Sequence, residues 1–196
     1  MIQLGLIRHG TTEWNLEGRM QGQMDTPLAE VGRVQAKLLA NRLKHEAWDG
    51  IIASDLMRAH ETALTIEKVT GVPLLGVDAR LRERAFGQLE GTTVQDRIAK
   101  WGEDWREREH ELGLESDDSL LQRWDSFVSE TEQVHPGKKL LIVSHGGYIV
   151  PVITRILQGP LEEHLNNTSL TVLYRNEKQW DIRLLNCTLH LNELST

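Results

Sequence analysis

Two short apolar runs in this chain end in the same pair of residues, His-Gly. Ile2-Gln3-Leu4-Gly5-Leu6-Ile7 leads into Arg8-His9-Gly10, and Leu140-Leu141-Ile142-Val143 leads into Ser144-His145-Gly146-Gly147. Near-continuous apolar runs of this length read as strands covered on both faces, as in a parallel sheet. Open α/β sheets place their ligand sites beyond the carboxyl ends of such strands. The runs therefore predict two histidines on one edge of one sheet. Arg8 stands beside the first, an arrangement suited to an anion.

The rest of the chain narrows the setting. Its 196 residues suit one α/β domain over 1–196 with a sizeable core. No apolar stretch reaches membrane-spanning length, and Arg8-His9 interrupts the first apolar run too early for a secretory leader. The single Cys187 cannot form an internal disulfide, so the cytoplasm is the expected compartment. A net charge of −7 leaves no global basic field for nucleic acid. The arginines near His9 must act locally, in a focused positive cleft.

Periodicity places strands at about 2–8, 50–54, 72–75, 139–144, 169–174 and 179–185. A helix is expected from Thr26 as N-cap and Pro27 as first residue through Leu43. Others are expected from Ser54 or Asp55 to about Val69, from Asp117 or Asp118 to Pro136, and from Gly147 to Leu157. Arg175-Asn176-Glu177-Lys178 reads as the turn of a terminal strand pair. The polar stretch at about 78–118 reads as a helical cap excursion over the sheet edge. Strand-helix alternation implies a three-layer α/β/α sandwich with a mostly parallel central sheet.

A neutral imidazole at His9 is a nucleophile, and the Arg8 guanidinium is a planar fork suited to phosphate. Gly10 lets the backbone approach a ligand, and its N–H suits an anion nest. Nearby arginines disfavour the charged form of His9 and keep it able to attack. Alone, the motif fits a structural histidine equally well. Three further features favour chemistry. His145 is followed by two glycines, and Arg58 falls on the first turn of a helix, where the N-terminus already favours anions. Glu83 lies between Arg82 and Arg84 on an irregular segment and is a general-acid candidate.

Taken together, these blocks resemble the histidine phosphatase superfamily, also called the phosphoglycerate mutase-like family. Leu6 to Asn15, Gln21-Gly22 with Thr26-Pro27-Leu28, Ser54 to Ala59 with Thr62-Ala63, Glu83 to Gly91, and Val143 to Gly147 occur in family order over nearly the whole chain. The resemblance implies a phosphoglycerate mutase-like fold and His9 as the nucleophile that becomes phosphohistidine. It implies Arg8, Arg58 and His145 as holders of the phosphoryl group and Glu83 as proton donor to the leaving oxygen. Gly10, Thr11, Asn15, Gln21, Gly22 and Gly146 are implied as phosphate or substrate contacts. Neither metal nor other cofactor is implied, and the expected partner is a small phosphomonoester.

Arg8 and Arg58 would repel a dication, and no His-x-x-x-His or Cys-x-x-Cys spacing occurs. Trp101 and Trp105, four apart with Ile98 on the same helical face, read either as a staple to the core or as an aromatic lid over substrate. Arg84 is a further substrate-contact candidate. The segment after Glu83 is shorter than the resemblance implies for mutases. Its Arg97, Lys100, Arg106 and Arg108 are interleaved with acids, and Ala85-Phe86 stands where a mutase would carry His-Tyr. The expectation is a phosphatase, with phosphoglycerate mutase-type transfer as the alternative. A non-catalytic phosphate-binding module would be expected to lack one of these groups, and all are present.

Overall fold

A computed structural model describes residues 2–176 and 179–195. Six strands form one sheet: β1 Ile2–Arg8, β2 Gly50–Ala53, β3 Leu74–Val77, β4 Lys139–Ser144, β5 Leu170–Asn176 and β6 Gln179–Cys187. Helices are α1 Glu13–Leu16, α2 Glu30–Leu43, α3 Met57–Thr70, α4 Val94–Trp101, α5 Asp117–Val134 and α6 Gly146–Leu157. The strand order is β3-β2-β4-β1-β5-β6. The first four are mutually parallel; β5 pairs antiparallel with β1, and β6 antiparallel with β5. Glu177 and Lys178, the expected centre of the last turn, lie outside the described residues.

Alternation along the central strands feeds two cores, which makes the three layers. Leu4, Leu6, Leu140 and Ile142 pack with Trp124, Phe127, Ile149 and Val152 of α5 and α6. Ile7, Leu141 and Val143 point the other way, against Leu39, Leu43, Ala59 and Ile66 of α2 and α3. No helix among the described residues is long and apolar enough to cross a membrane.

Several boundaries differ from the sequence expectation because tertiary partners override local caps. The first long helix starts at Glu30 rather than Thr26, with Ala29 at the N-cap position. Thr26 donates its hydroxyl to Gln21 Oε1 at 2.6 Å, and the Leu28 N–H goes to Glu61 on α3. Neither Ser54 nor Asp55 is the N-cap of α3; Leu56 is, and the Met57 N–H is capped from a distance by Asp25 at 2.6 Å. The edge strand β3 begins after Pro73, which has no N–H to donate to the ladder. The last helix begins at Gly146, one residue before the expected start.

The segment between β3 and α5 carries only short helical pieces and no strand. Trp101 and Trp105 do not share a helix, because Gly102, at φ +90°, ends α4 between them. Trp105 instead joins Leu89 and Leu112 in a small buried cluster, against which Trp101 packs.

Candidate active site

Strand register brings the chemistry to one edge. Arg8 pairs with Ser144 across β1 and β4, so His9 and His145 leave the sheet side by side. The His9 N–H donates to the Ser144 carbonyl at 2.9 Å, and the two imidazoles lie 5.1 Å apart, centroid to centroid. Ala53 pairs with Val143, which sets Ser54 at the same level. The chain then turns into α3 and delivers Arg58.

His9 is buried, and its Nδ1 lies 2.7 Å from the Gly10 carbonyl. That oxygen can only accept, so Nδ1 carries the proton and Nε2 keeps the lone pair. Burial, then the Arg58 and Arg8 guanidiniums, hold the His9 pKa well below the usual imidazole value. His9 is therefore a neutral, oriented imidazole whose Nε2 lone pair is free.

Arg58 has no exposed surface. Its two terminal nitrogens donate to the Met24 and Gly22 carbonyls at 2.8 and 2.7 Å, leaving Nε without a partner. Burial lowers its pKa to about 10, which keeps it cationic at neutral pH. Arg8 is anchored through Nη1 to the Leu165 carbonyl at 2.5 Å and to His164 at 3.1 Å; its Nε is also unpartnered. His145 bonds Ser54 through Nε2 at 2.8 Å and leaves Nδ1 unpartnered. Buried polar atoms are normally satisfied. Two guanidinium nitrogens and an imidazole nitrogen left open around His9 make a cradle suited to a tetrahedral anion.

Asn15 and Gln21 complete the wall. Asn15 Oδ1 accepts the Thr12 N–H at 3.1 Å, which fixes the amide orientation and leaves its Nδ2 as a donor. Gln21 Oε1 accepts hydroxyls from Thr12 and Thr26 at 2.9 and 2.6 Å, leaving Nε2 likewise. The Gly10 amide is not free for the expected anion nest, and the Thr11 amide is engaged as well. The Gly10 N–H goes to Thr62 Oγ1 at 3.1 Å and the Thr11 N–H to Gln35 at 3.0 Å. Their part is to shape the loop: a Cβ on Gly10 would come within 2.6 Å of the Gly32 carbonyl on α2. Gly22 holds Arg58 through its carbonyl, and Gly146 lies against Arg8, where an added Cβ would be 3.3 Å from Nε.

Glu83 is buried beside this cradle. Its carboxyl accepts the Arg84 N–H at 2.7 Å and the Gly147 N–H at 3.1 Å. Burial raises its pKa above the usual carboxyl value, opposed by those N–H bonds and by Arg58 and Arg8. The Arg84 side chain turns away from the phosphate cradle to Asp117 and the Glu115 carbonyl, and Arg82 pairs with Asp55. Arg84 lines a cleft of about 380 Å³ with Phe86, Leu114, Gly147 and Val150. Trp105 is 2% exposed, with the Arg97 and Arg106 guanidiniums 4.6 and 4.5 Å from its ring, so the structure places it inside the cap. Trp101 is half-buried beside it, with Lys100 4.4 Å from its ring. No cluster of three His, Cys, Asp or Glu side chains that would hold a metal occurs among the described residues.

Sequence reasoning placed Ser54 and Thr62 in a family block but gave neither a role at the site, and it missed the loop at 164–168. Asn167 Nδ2 donates to the His9 carbonyl at 2.8 Å, and the Thr168 N–H to the Arg8 carbonyl at 2.9 Å. The available signal was the polar Asn166-Asn167-Thr168 run just before a strand antiparallel to β1, since such a strand starts at the edge where β1 ends.

The chain matches the family model "Histidine phosphatase superfamily (branch 1)" over residues 4–188. It is 32% identical over 195 residues to an uncharacterized phosphatase, PhoE, of Bacillus subtilis (strain 168), covering 98% of each chain. It is 35% identical over 191 residues to the probable phosphoglycerate mutase GpmB of Photorhabdus laumondii, covering 92% of this chain and 88% of that one. The solved structure of Bacillus stearothermophilus YhfR superposes with a TM-score of 0.87 at 29% identity, covering 97% of this chain and 100% of that one. With blocks, fold and site in agreement, the chain belongs to the histidine phosphatase superfamily.

Proposed function

We propose that the protein is a phosphomonoesterase that hydrolyses small phosphorylated metabolites through a phosphohistidine at His9, without a metal ion. The observation that carries this reading is the set of buried, unpartnered nitrogens on the residues beside His9: Arg8 Nε, Arg58 Nε and His145 Nδ1. Unsatisfied polar atoms of this kind on two cations and an imidazole support the reading, because a transferring phosphoryl group is stabilised mainly by preorganised donors at its oxygens.

In the first step the His9 Nε2 lone pair forms a bond to phosphorus while the bond to the ester oxygen breaks. The Glu83 proton moves to that oxygen and the alcohol leaves. In the second step water attacks phosphorus as the N–P bond breaks, and the Glu83 carboxylate takes the water proton. Phosphate departs and both residues are restored. The covalent intermediate divides one difficult displacement into two easier ones.

Hydrolysis is favoured over mutase-type transfer by the fate of the cap cations. Arg97 donates to the Thr92 carbonyl and packs on Trp105, and Arg106 packs on the same ring. Lys100 packs on Trp101, and Arg108 pairs with Glu111. A mutase must grip a second anionic group, and these cations are already engaged in the cap itself. The deciding assay measures phosphate release from a panel of phosphomonoesters in the presence of EDTA, with His9→Ala as control. Release that His9→Ala abolishes supports the reading. Interconversion of 3- and 2-phosphoglycerate with little net hydrolysis supports the mutase alternative.

A further inference from the structure

We infer that Ser54 is a positioning residue that fixes the tautomer of His145, so that His145 meets the phosphoryl group as a neutral Nδ1–H donor. The inference rests on the phosphoryl-transfer reading of the site and adds a residue and a proton location to it.

The argument is one of hydrogen-bond satisfaction. Ser54 is fully buried at the end of β2. Its Oγ lies 2.8 Å from His145 Nε2 and 3.3 Å from the Leu56 amide nitrogen. A hydroxyl has one hydrogen to give and two lone pairs to receive. The Leu56 N–H occupies one lone pair. The hydroxyl hydrogen has no acceptor among the described residues other than His145 Nε2. If Nε2 carried a proton, that hydrogen would be buried without a partner, which is costly. Donation from Ser54 therefore leaves Nε2 unprotonated, and a neutral ring must then carry its proton on Nδ1. That is the atom left unpartnered, in the ring whose centroid lies 5.1 Å from that of His9.

The surroundings also disfavour the doubly protonated ring. Burial is the largest cause, and the Arg58, Arg8 and Arg123 guanidiniums add to it, together with His9 when charged. An Nδ1 without a proton would present a lone pair to a phosphoryl oxygen and repel it. A fixed Nδ1–H instead adds one preorganised donor. His145 differs in this from His9, whose neighbouring carbonyl leaves the lone pair free to attack.

The test is nitrogen-15 NMR of the His145 ring in the full-length protein at neutral pH, free and with orthovanadate, assigned with His145→Gln. The expected result is a protonated Nδ1 and an unprotonated Nε2 in both states. Ser54→Ala is expected to mix the tautomers and lower kcat/KM by about 10- to 100-fold, by analogy with the loss of partners that orient metal-bound imidazoles. An unprotonated Nδ1 or an imidazolium in the wild-type protein would overturn the inference, whether or not the variant folds. So would a Ser54→Ala protein with the wild-type tautomer. Because the ring is read without turnover, the result is separate from that of the phosphatase assay.

Discussion

The Gly147 N–H donates to Glu83 Oε2 at 3.1 Å, joining the proposed acid to the first turn of α6, the helix that follows His145. The acid and the second histidine are thus held by one helix N-terminus. A Cβ at Gly147 would approach Glu83 Oε1 to 2.6 Å and Phe86 to 3.2 Å. Gly147→Ala should displace the carboxyl and lower kcat and kcat/KM together, the pattern of an interaction made in the transition state. The loss should be larger for alkyl phosphates than for p-nitrophenyl phosphate, whose leaving group needs no proton. Steady-state kinetics on the two substrates check this.

The pH dependence has a definite sign. His9 must be unprotonated to attack, and its pKa lies well below 6.5, so the acid limb of kcat/KM should fall below pH 6.5. Glu83 must be protonated to donate, and burial raises its pKa above 4.5. Activity on alkyl phosphates should therefore decline as pH rises through the Glu83 pKa. With Glu83→Gln, the residual kcat/KM on alkyl phosphates should lack that decline. A pH profile of both proteins tests the assignment.

Arg58 serves two purposes, and its replacement should show both. It satisfies two loop carbonyls and presents Nε to the cradle. Arg58→Ala should lower kcat/KM by about 10²- to 10³-fold, as expected for loss of a preorganised donor, and should weaken vanadate binding. Arg58→Lys should not restore activity, because an ammonium cannot hold both carbonyls and still supply a donor at the position of Nε. Vanadate titration alongside kinetics separates binding from turnover.

Gly32 carries the nucleophile loop from the side of α2. A Cβ there would overlap the Thr11 carbonyl oxygen, which is backbone and cannot swing away. Gly32→Ala should cost about 1–3 kcal/mol by overpacking. The melting temperature should fall by about 2–4 °C for each kcal/mol lost. Activity should fall with it, since the same loop orients His9. Calorimetry and a phosphatase assay on one preparation measure both.

The positions of the strand-end histidines, Arg58 and Glu83 were legible from local context: a strand end, a first helical turn, an irregular segment between cations. The parallel centre of the sheet was legible for the same reason. The roles expected of those side chains came from the family resemblance, since the local context of His9 suits a structural histidine equally well. What sequence could not supply were partners set by distant chain. Thr26 has the chemistry of an N-cap, yet its hydroxyl goes to Gln21, and α2 starts at Glu30. Gly10 has the freedom an anion nest requires, yet its N–H goes to Thr62 on α3. Asn167 reaches the His9 carbonyl only because β5 runs antiparallel to β1. Trp101 and Trp105 matched helical spacing, but Gly102 breaks the helix between them. The cap has few long-range rules to read, and the structure packs Trp105 between two of its own arginines.

The most direct test of the central claim is rapid-quench mass spectrometry of the enzyme mixed with a phosphomonoester that it hydrolyses. The account predicts one phosphoryl group per chain on His9, stable in base and lost in acid. It should form and decay fast enough to account for turnover and be absent from His9→Ala. Turnover with no phosphoenzyme, or a phosphoryl group on any other residue, would contradict it.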